Sequence, residues 1–186
     1  MITGFRRTAA AAAAVIALGA GGAAWAVSSA SASASTTASS ISKCSAGDLA
    51  VSVDADSADG TAGTTFFNLE FTNISHSTCA LFGFPGVSAV NGNGKQLGNA
   101  ARRTNNVAYT DVLLAPDHTA HGQLGYTDII VDKGCKPTTS FELKVFAPND
   151  TVAKHAFFPI STCTTGQADL TVSRVEAGAG TQPASS

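Results

Sequence analysis

The segment Phe67-Asn68-Leu69-Glu70-Phe71-Thr72 is the clearest indication of the fold, because large apolar and polar side chains alternate along it at every position. In an extended chain successive side chains point to opposite faces, so a period of two places all the apolar groups on one face. Aromatic side chains also favour the pleated backbone. The segment is therefore predicted to be a strand with one face buried and the other in water.

The same alternation recurs along the chain, and turn-forming residues separate its occurrences. It is clearest in Leu49–Asp54, Phe141–Phe146 and Leu170–Ser173, and further strands are predicted at Val87–Val90, Val107–Leu114, Thr119–Val131 and His155–Ile160. The strongest turn signal is Asn91-Gly92-Asn93-Gly94, which predicts a tight hairpin because both residue types accept a positive φ. No segment after the apolar N-terminal stretch shows a helical period.

About seven to nine short strands with frequent turns predict an all-β fold, namely an antiparallel β-sandwich of immunoglobulin-like kind. The apolar positions of the alternating segments supply the predicted core. Its members are Leu49, Val51, Phe67, Leu69, Phe71, Leu81, Leu143, Val145, Leu170 and Val172.

Four cysteines follow the N-terminal stretch, and their spacing favours disulfides over a metal site. They are 35, 56 and 28 residues apart, whereas zinc-binding cysteines usually come in close pairs. Cys44 precedes the first strand and Cys79 follows the second, so antiparallel pairing of these strands brings the two cysteines together. Cys135 and Cys163 bracket two later strands in the same way. We therefore predict the disulfides Cys44–Cys79 and Cys135–Cys163.

Residues 1–26 are typical of a secretory signal peptide. Two arginines precede an apolar stretch, and Ala24-Trp25-Ala26 fits a cleavage site after Ala26, with Ala32 and Ala34 as alternative ends. A retained membrane helix is disfavoured, because alanine and glycine are weakly apolar and a serine-rich segment follows. The expected product is secreted, without stable membrane insertion, and is either extracellular or associated with the cell wall.

Composition divides the remainder of the chain into three parts. Residues 27–43 are almost wholly serine, alanine and threonine, which is typical of a flexible linker. Residues 177–186 have a similar composition and are expected to form a disordered tail. The predicted β-sandwich domain is then residues 44–176, a length that suits a single domain.

The charge of the chain argues against a polyanionic partner. The 11 basic and 13 acidic residues give a net charge of −2, and loss of the two leader arginines makes it −4. The charges are scattered, so the sequence lacks the basic patch that nucleic acid or anionic lipid requires. No nucleic-acid partner is expected.

The segment Cys79-Ala-Leu81-Phe-Gly83-Phe-Pro85-Gly-Val87 resembles the C-x-L-x-G-x-P-x-V segment of domain of unknown function 4232, a secreted actinobacterial family. Weaker similarities follow in the same order at Leu114-Ala-Pro116, Cys135, Leu143-Lys-Val145, Pro148 and Cys163. The resemblance implies an extracellular β-sandwich of unassigned activity and supplies no catalytic residue.

The chain departs from that family at two turns. The family often has glycine after the two later prolines, whereas this chain has Asp117 and Asn149. Both residue types tolerate the left-handed backbone conformation better than other non-glycine residues. Both turns are therefore expected to persist.

The sequence contains no arrangement typical of an enzyme. A nucleophilic serine requires the elbow G-x-S-x-G, and Gly86-Val87-Ser88 has Val90 where the second glycine is needed. All four cysteines are assigned to disulfides, so no thiol remains for catalysis. We expect a protein that is not an enzyme and that uses no cofactor.

Two groups of residues are weak candidates for a metal site. Asp54, Asp56 and Asp59 supply carboxylates that suit calcium, but their spacing departs from that of an EF-hand loop. His118 and His121 supply imidazoles beside a proline turn, but in a strand this spacing places them on opposite faces. Solvated loops are the favoured interpretation of both groups.

These patterns favour a secreted, non-catalytic interaction module. Function in such folds depends on loops and sheet faces, so the expected partner is an extracellular protein, a wall polymer or a small ligand. A structural component of the cell envelope is the first alternative, and an exported protein that binds calcium or another metal is the second. The sequence predicts a monomer.

Overall fold

The computed structural model describes residues 40–61, 63–104, 108, 110–127, 135–166 and 170–180. The predicted signal peptide and most of the predicted linker lie outside these residues. In the described part, one 3-10 turn, Ala46–Asp48, precedes twelve strands. They are β1 (Leu49–Thr61), β2 (Thr64–Asn73), β3 (Cys79–Leu81), β4 (Gly86–Val90), β5 (Gln96–Leu97), β6 (Arg102–Arg103), β7 (Val112–Leu114), β8 (Thr119–Thr127), β9 (Pro137–Phe146), β10 (Ala153–Cys163), β11 (Leu170–Val172) and β12 (Glu176–Ala177).

The strands form an all-β sandwich, as predicted. One sheet has six strands in the order β1-β2-β8-β11-β6, with β12 also paired to β8, and the other has four in the order β10-β9-β4-β5. A separate ribbon pairs β3 with β7. The ladders are antiparallel except β11–β6. The strands outnumber the predicted seven to nine, because pieces of two or three residues are too short to show an alternating pattern.

The segment Phe67–Thr72 lies in the centre of β2, which pairs with β1 on one side and β8 on the other. Leu69 and Phe71 are completely buried, and Phe67 packs partly buried against the core. The Phe67 ring meets the Phe158 ring of the opposite sheet edge-on, with 4.8 Å between centroids. Burial of each such side chain contributes about 1.5–3 kcal/mol. The alternating face of β2 therefore joins the two sheets.

The predicted core is confirmed, with one difference in depth. Val51 and Phe67 are only partly buried, and the other eight predicted residues are buried. Phe141, predicted to share the buried face of Leu143, is instead exposed. The alternation of β9 changes phase between Ser140 and Leu143, which are both fully buried although three positions apart.

Both predicted disulfides are confirmed. Cys44 and Cys79 have Cα atoms 4.9 Å apart, and those of Cys135 and Cys163 are 5.3 Å apart. The described part contains no free cysteine. The geometric reason is the expected one, since β1 pairs antiparallel with β2 and β9 with β10, which brings the start of one strand beside the end of the next.

The predicted turns are also present. Asn91 accepts a hydrogen bond from the Gly94 N–H at 2.8 Å and closes the hairpin between β4 and β5. Asp117 and Asn149 have φ values of 61° and 58°, the left-handed conformation that few non-glycine residues other than asparagine and aspartate adopt. Asparagine and aspartate thus preserve the backbone of both turns.

Some predicted boundaries differ from the structure. Of the predicted strand Val107–Leu114, residues 107 and 109 lie outside the described part. Among the described residues only Val112–Leu114 is a strand, because its partner β3 has just three residues. Of the predicted strand Thr119–Val131, residues 128–131 lie outside the described part of the chain. Ala177, assigned to the tail, belongs to β12, and the Gly178 N–H donates to the Thr119 carbonyl at 2.9 Å. Within the described residues, no helix has the length and apolar character to cross a membrane.

Candidate functional site

The three aspartates proposed for calcium lie along a bulge of the edge strand β1. The ladder with β2 loses its register between Asp54 and Asp59. Ser57 is buried in the bulge, where its hydroxyl donates to the Asp54 carbonyl at 2.6 Å and accepts from the Asn68 N–H at 2.8 Å. The Asp54 carboxylate accepts from the Asp56 N–H at 3.0 Å. The aspartates therefore belong to the bulge and its solvent side.

The two histidines make separate contacts. His118 precedes β8, and its Nδ1 lies 2.9 Å from the Pro116 carbonyl oxygen. His121 lies within β8, and its Nδ1 lies 2.9 Å from the Gly178 carbonyl oxygen. Across the described residues, no group of three or more histidine, cysteine, aspartate or glutamate side chains could hold a metal ion.

A polar row crosses the outer face of the six-stranded sheet. Register aligns Ser52, Glu70, His121 and Glu176 on four neighbouring strands. Burial and the nearby Asp54 carboxylate raise the pKa of Glu70, against a weak hydrogen bond from Ser52 at 3.4 Å. Glu176 pairs with Arg174 at 3.1 Å. Alternation alone does not reveal this row, since it depends on pairing between strands far apart in sequence.

The outer face of the four-stranded sheet carries the most exposed aromatic side chains of the described chain. Phe157 on β10 is 73% exposed and Phe141 on β9 is 59% exposed. Phe157 lies directly opposite Glu142 in the ladder, so the two phenylalanines flank Glu142 on adjacent strands. We call the outward residues Phe141, Glu142, Lys144, His155 and Phe157 the aromatic face.

The polar members of the aromatic face are held by contacts with each other and with a neighbouring ring on β9. His155 Nδ1 lies 2.9 Å from Glu142 Oε2, and both side chains are about half exposed. The Lys144 ammonium lies over the Phe146 ring, 5.2 Å from its centroid, a cation–π contact. The face thus combines two exposed rings with fixed charges of both signs.

A comparison with known families assigns the chain. The model of the family described as domain of unknown function (DUF4232) matches residues 44–181. The chain belongs to this family. No curated protein and no solved structure matches it. The match covers every strand described above, so the aromatic face lies within the DUF4232 domain.

The DUF4232 domain also has an open cleft of about 420 Å³, lined by residues 108, 110–113 and 174–177. Arg174 lies at its rim, bonded to Glu176 and more weakly, at 3.4 Å, to the Ala108 carbonyl. The residues on one side of the cleft flank position 109, which lies outside the described part. The cleft is therefore a weaker candidate than the aromatic face.

The sequence pattern of the DUF4232 domain did not predict the aromatic face. Alternation placed Phe141 inside, whereas the phase change that turns it outward follows the buried Ser140, whose hydroxyl bonds to the backbone of Val90. One signal was available at Phe157-Phe158, because adjacent side chains point to opposite faces wherever a strand alternates regularly. Phe158 is buried, which leaves Phe157 outside.

Proposed function

We propose that this chain is a secreted, non-catalytic binding module that meets a macromolecular partner through the aromatic face. The observation that carries the proposal is the exposure of Phe141 and Phe157, at 59% and 73%, on adjacent strands. A single exposed apolar residue is ordinary on a protein surface, whereas neighbouring exposed aromatic rings are typical of contact surfaces. Aromatic side chains also dominate the binding energy of many interfaces.

The surroundings of the two rings support a protein partner. Interfaces commonly have an apolar centre within a polar rim that excludes water. Lys144 and His155 contribute to such a rim, and the contacts of Glu142, Lys144 and His155 on this sheet fix their positions before binding. A surface ordered in advance loses less conformational entropy when a partner docks.

Two features support a location outside the cell. Both disulfides lie within the described domain and leave no free cysteine there. Structural disulfides persist mainly in oxidising compartments. The N-terminal 26 residues are typical of a signal peptide. An envelope-associated partner and a partner in the medium both fit these features, and the experiment below separates them.

The test compares the mature chain with a doubly substituted chain, Phe141→Ser/Phe157→Ser. Each is immobilised and exposed to three preparations, namely isolated cell envelope, proteins of the culture medium, and the purified chain itself. We expect the immobilised wild type to bind components of at least one of the three preparations. The double variant should bind them with about tenfold or more lower affinity, since hot-spot residues account for about 2 kcal/mol or more.

A matched control is Leu113→Ser, because Leu113 is 58% exposed but lies on the separate β3–β7 ribbon. This variant is expected to bind as the wild type does. Equal retention by all three chains, or no retention by the wild type, would refute the proposal. Melting temperatures confirm that the compared chains are equally folded.

A further inference from the structure

The two long edge strands are both unsuited to pairing with another chain. β10 has Pro159 near its middle, and its ladder with β9 is irregular between Phe157 and Ile160. β1 is interrupted by the bulge from Asp54 to Asp59 and carries three carboxylates there. Proline, charge and bulges are the devices by which natural edge strands avoid intermolecular pairing. A partner of these strands must therefore meet a face rather than an edge.

The aromatic face is self-complementary in its register. Phe157 lies opposite Glu142, and His155 lies opposite Lys144, which gives two levels on two adjacent strands. Consider a two-fold axis that lies parallel to the face, runs perpendicular to β9 and β10, and passes between these two levels. Rotation about it places the first level of one copy opposite the second level of the other copy. Each strand then lies opposite the same strand of the other copy. Glu142 then faces Lys144 of a second copy, and Phe157 faces His155 of that copy, twice each.

We propose that the occupant of the aromatic face is a second copy of this chain, in an isologous two-fold dimer. The inference rests on the proposed function, because it requires the aromatic face to be a contact surface. The exchange of levels creates opposite-charge pairs, whereas a face of uniform charge would repel its own copy. In this dimer the Phe157 ring of each copy contacts the His155 imidazole of the other copy. The exposed surfaces of Phe141 and Phe157 become buried in the interface.

The size of the face indicates a weak dimer. Two strands about 4.8 Å apart and about ten residues of 3.4 Å each give roughly 330 Å² per copy, well below the about 800 Å² of a standard stable interface. We therefore expect a dissociation constant in the micromolar range or above, and a reversible exchange between monomer and dimer. The proposed dimer is the alternative to the monomer expected from the sequence, and the experiment below decides between the two.

Sedimentation equilibrium of the mature chain from about 1 µM to about 1 mM tests the proposal, since this range brackets the expected affinity. The wild type is expected to dimerise with rising concentration. Glu142→Lys and Lys144→Glu each place like charges opposite one another, so each variant alone should dissociate at least tenfold more readily. An equimolar mixture of the two variants should form a heterodimer, and the double variant Glu142→Lys/Lys144→Glu should dimerise again.

Glu142→Gln is the control for loss of the His155 contact, because it removes the charge without adding a repelling one. It should weaken the dimer less than Glu142→Lys does. Leu113→Ser, on the separate ribbon, should leave the dimer unchanged. A wild type that stays monomeric to 1 mM, or complementary variants that fail to associate in a mixture, would overturn the proposal.

The outcomes separate this inference from the proposed function. A monomeric wild type that still binds envelope or medium proteins through Phe141 and Phe157 rejects the second copy and retains the binding module. A dimer that survives Phe141→Ser/Phe157→Ser rejects the aromatic face as the dimer contact.

Discussion

The side chain of Asn73 bonds to the backbone carbonyl of Leu114, with 2.8 Å between Nδ2 and the oxygen, although the two residues are 41 positions apart. Asn73 ends β2 and is completely buried, while Leu114 ends β7 in the separate ribbon. The same amide donates to the Ser77 carbonyl at 2.9 Å, and its oxygen accepts from Ser75. One buried amide therefore ties the ribbon to the six-stranded sheet.

Replacement of Asn73 by alanine is expected to destabilise the domain by about 2–4 kcal/mol. The substitution leaves the buried Leu114 carbonyl without its donor, and an unsatisfied buried polar group costs about 1–3 kcal/mol on top of the lost packing. Urea unfolding measures the loss. Ile74→Ala, next in sequence but 55% exposed, is the control and should change the free energy of unfolding by less than about 0.5 kcal/mol.

Removal of either disulfide is expected to cost about 3–4 kcal/mol. The loops closed by Cys44–Cys79 and Cys135–Cys163 are 35 and 28 residues long, and the chain-entropy model gives nearly equal values for such lengths. The paired variants Cys44→Ala/Cys79→Ala and Cys135→Ala/Cys163→Ala, unfolded in urea without reductant, test this equality. A reduced protein with an unchanged melting temperature would contradict the stabilising role of both bonds.

The fold followed from the sequence where local and distant forces agree. In Phe67–Thr72, strand propensity, the period of two and burial between the sheets all indicate the same face, so Leu69 and Phe71 were placed correctly. The disulfides followed from strand order in the same way. Asp117 and Asn149 were recognised because turn chemistry is local to a few residues.

The candidate site did not follow from the sequence, because it depends on pairing between strands. Phe141 faces outward through a phase change of β9 that no local pattern announces. Glu142 and His155 are 13 residues apart, and only the β9–β10 register brings them to 2.9 Å. Conversely, the aspartates of β1 suggested calcium by composition, whereas the structure places them along a bulge at an edge.

Gly125 is expected to tolerate no side chain. It lies in β8 between β2 and β11, and a Cβ there would overlap the Thr171 hydroxyl and approach the Phe66 ring to 2.9 Å. Gly125→Ala should therefore lower the free energy of unfolding by about 1–3 kcal/mol, the usual cost of overpacking.

Two further variants make the Gly125 prediction specific to the clash. Gly92→Ala lies in the exposed hairpin turn, where a Cβ would meet nothing within 4 Å, so it should be nearly neutral. Thr171→Ala combined with Gly125→Ala should recover part of the stability by removing the overlapping hydroxyl. A Gly125→Ala domain as stable as the wild type would show that β8 adjusts its position freely.

The acid dependence of stability is expected to arise partly from two carboxylates at one end of the domain. Hydrogen bonds from the Ser45 hydroxyl and N–H, at 2.7 and 2.8 Å, lower the pKa of Asp48 below 3.8. Bonds from the N–H groups of Val152, Thr151 and Ala46 lower the pKa of Asp150 in the same direction. A lowered folded pKa gives stability that is present above 3.8 and is lost as pH falls through the folded value.

The contribution of Glu70 to stability changes with pH in the opposite direction, because burial raises its pKa above 4.5. Its contribution to stability is fully present below 4.5 and is lost as pH rises through the raised value. Glu70→Gln should therefore stabilise the domain at neutral pH, and the gain should vanish in acid.

Asp48→Asn and Asp150→Asn should destabilise the domain at neutral pH, with a difference that shrinks as pH falls below 3.8. Urea unfolding of the four chains across this pH range measures both trends, and parallel curves for Glu70→Gln and the wild type would contradict the assignment of the raised pKa to Glu70.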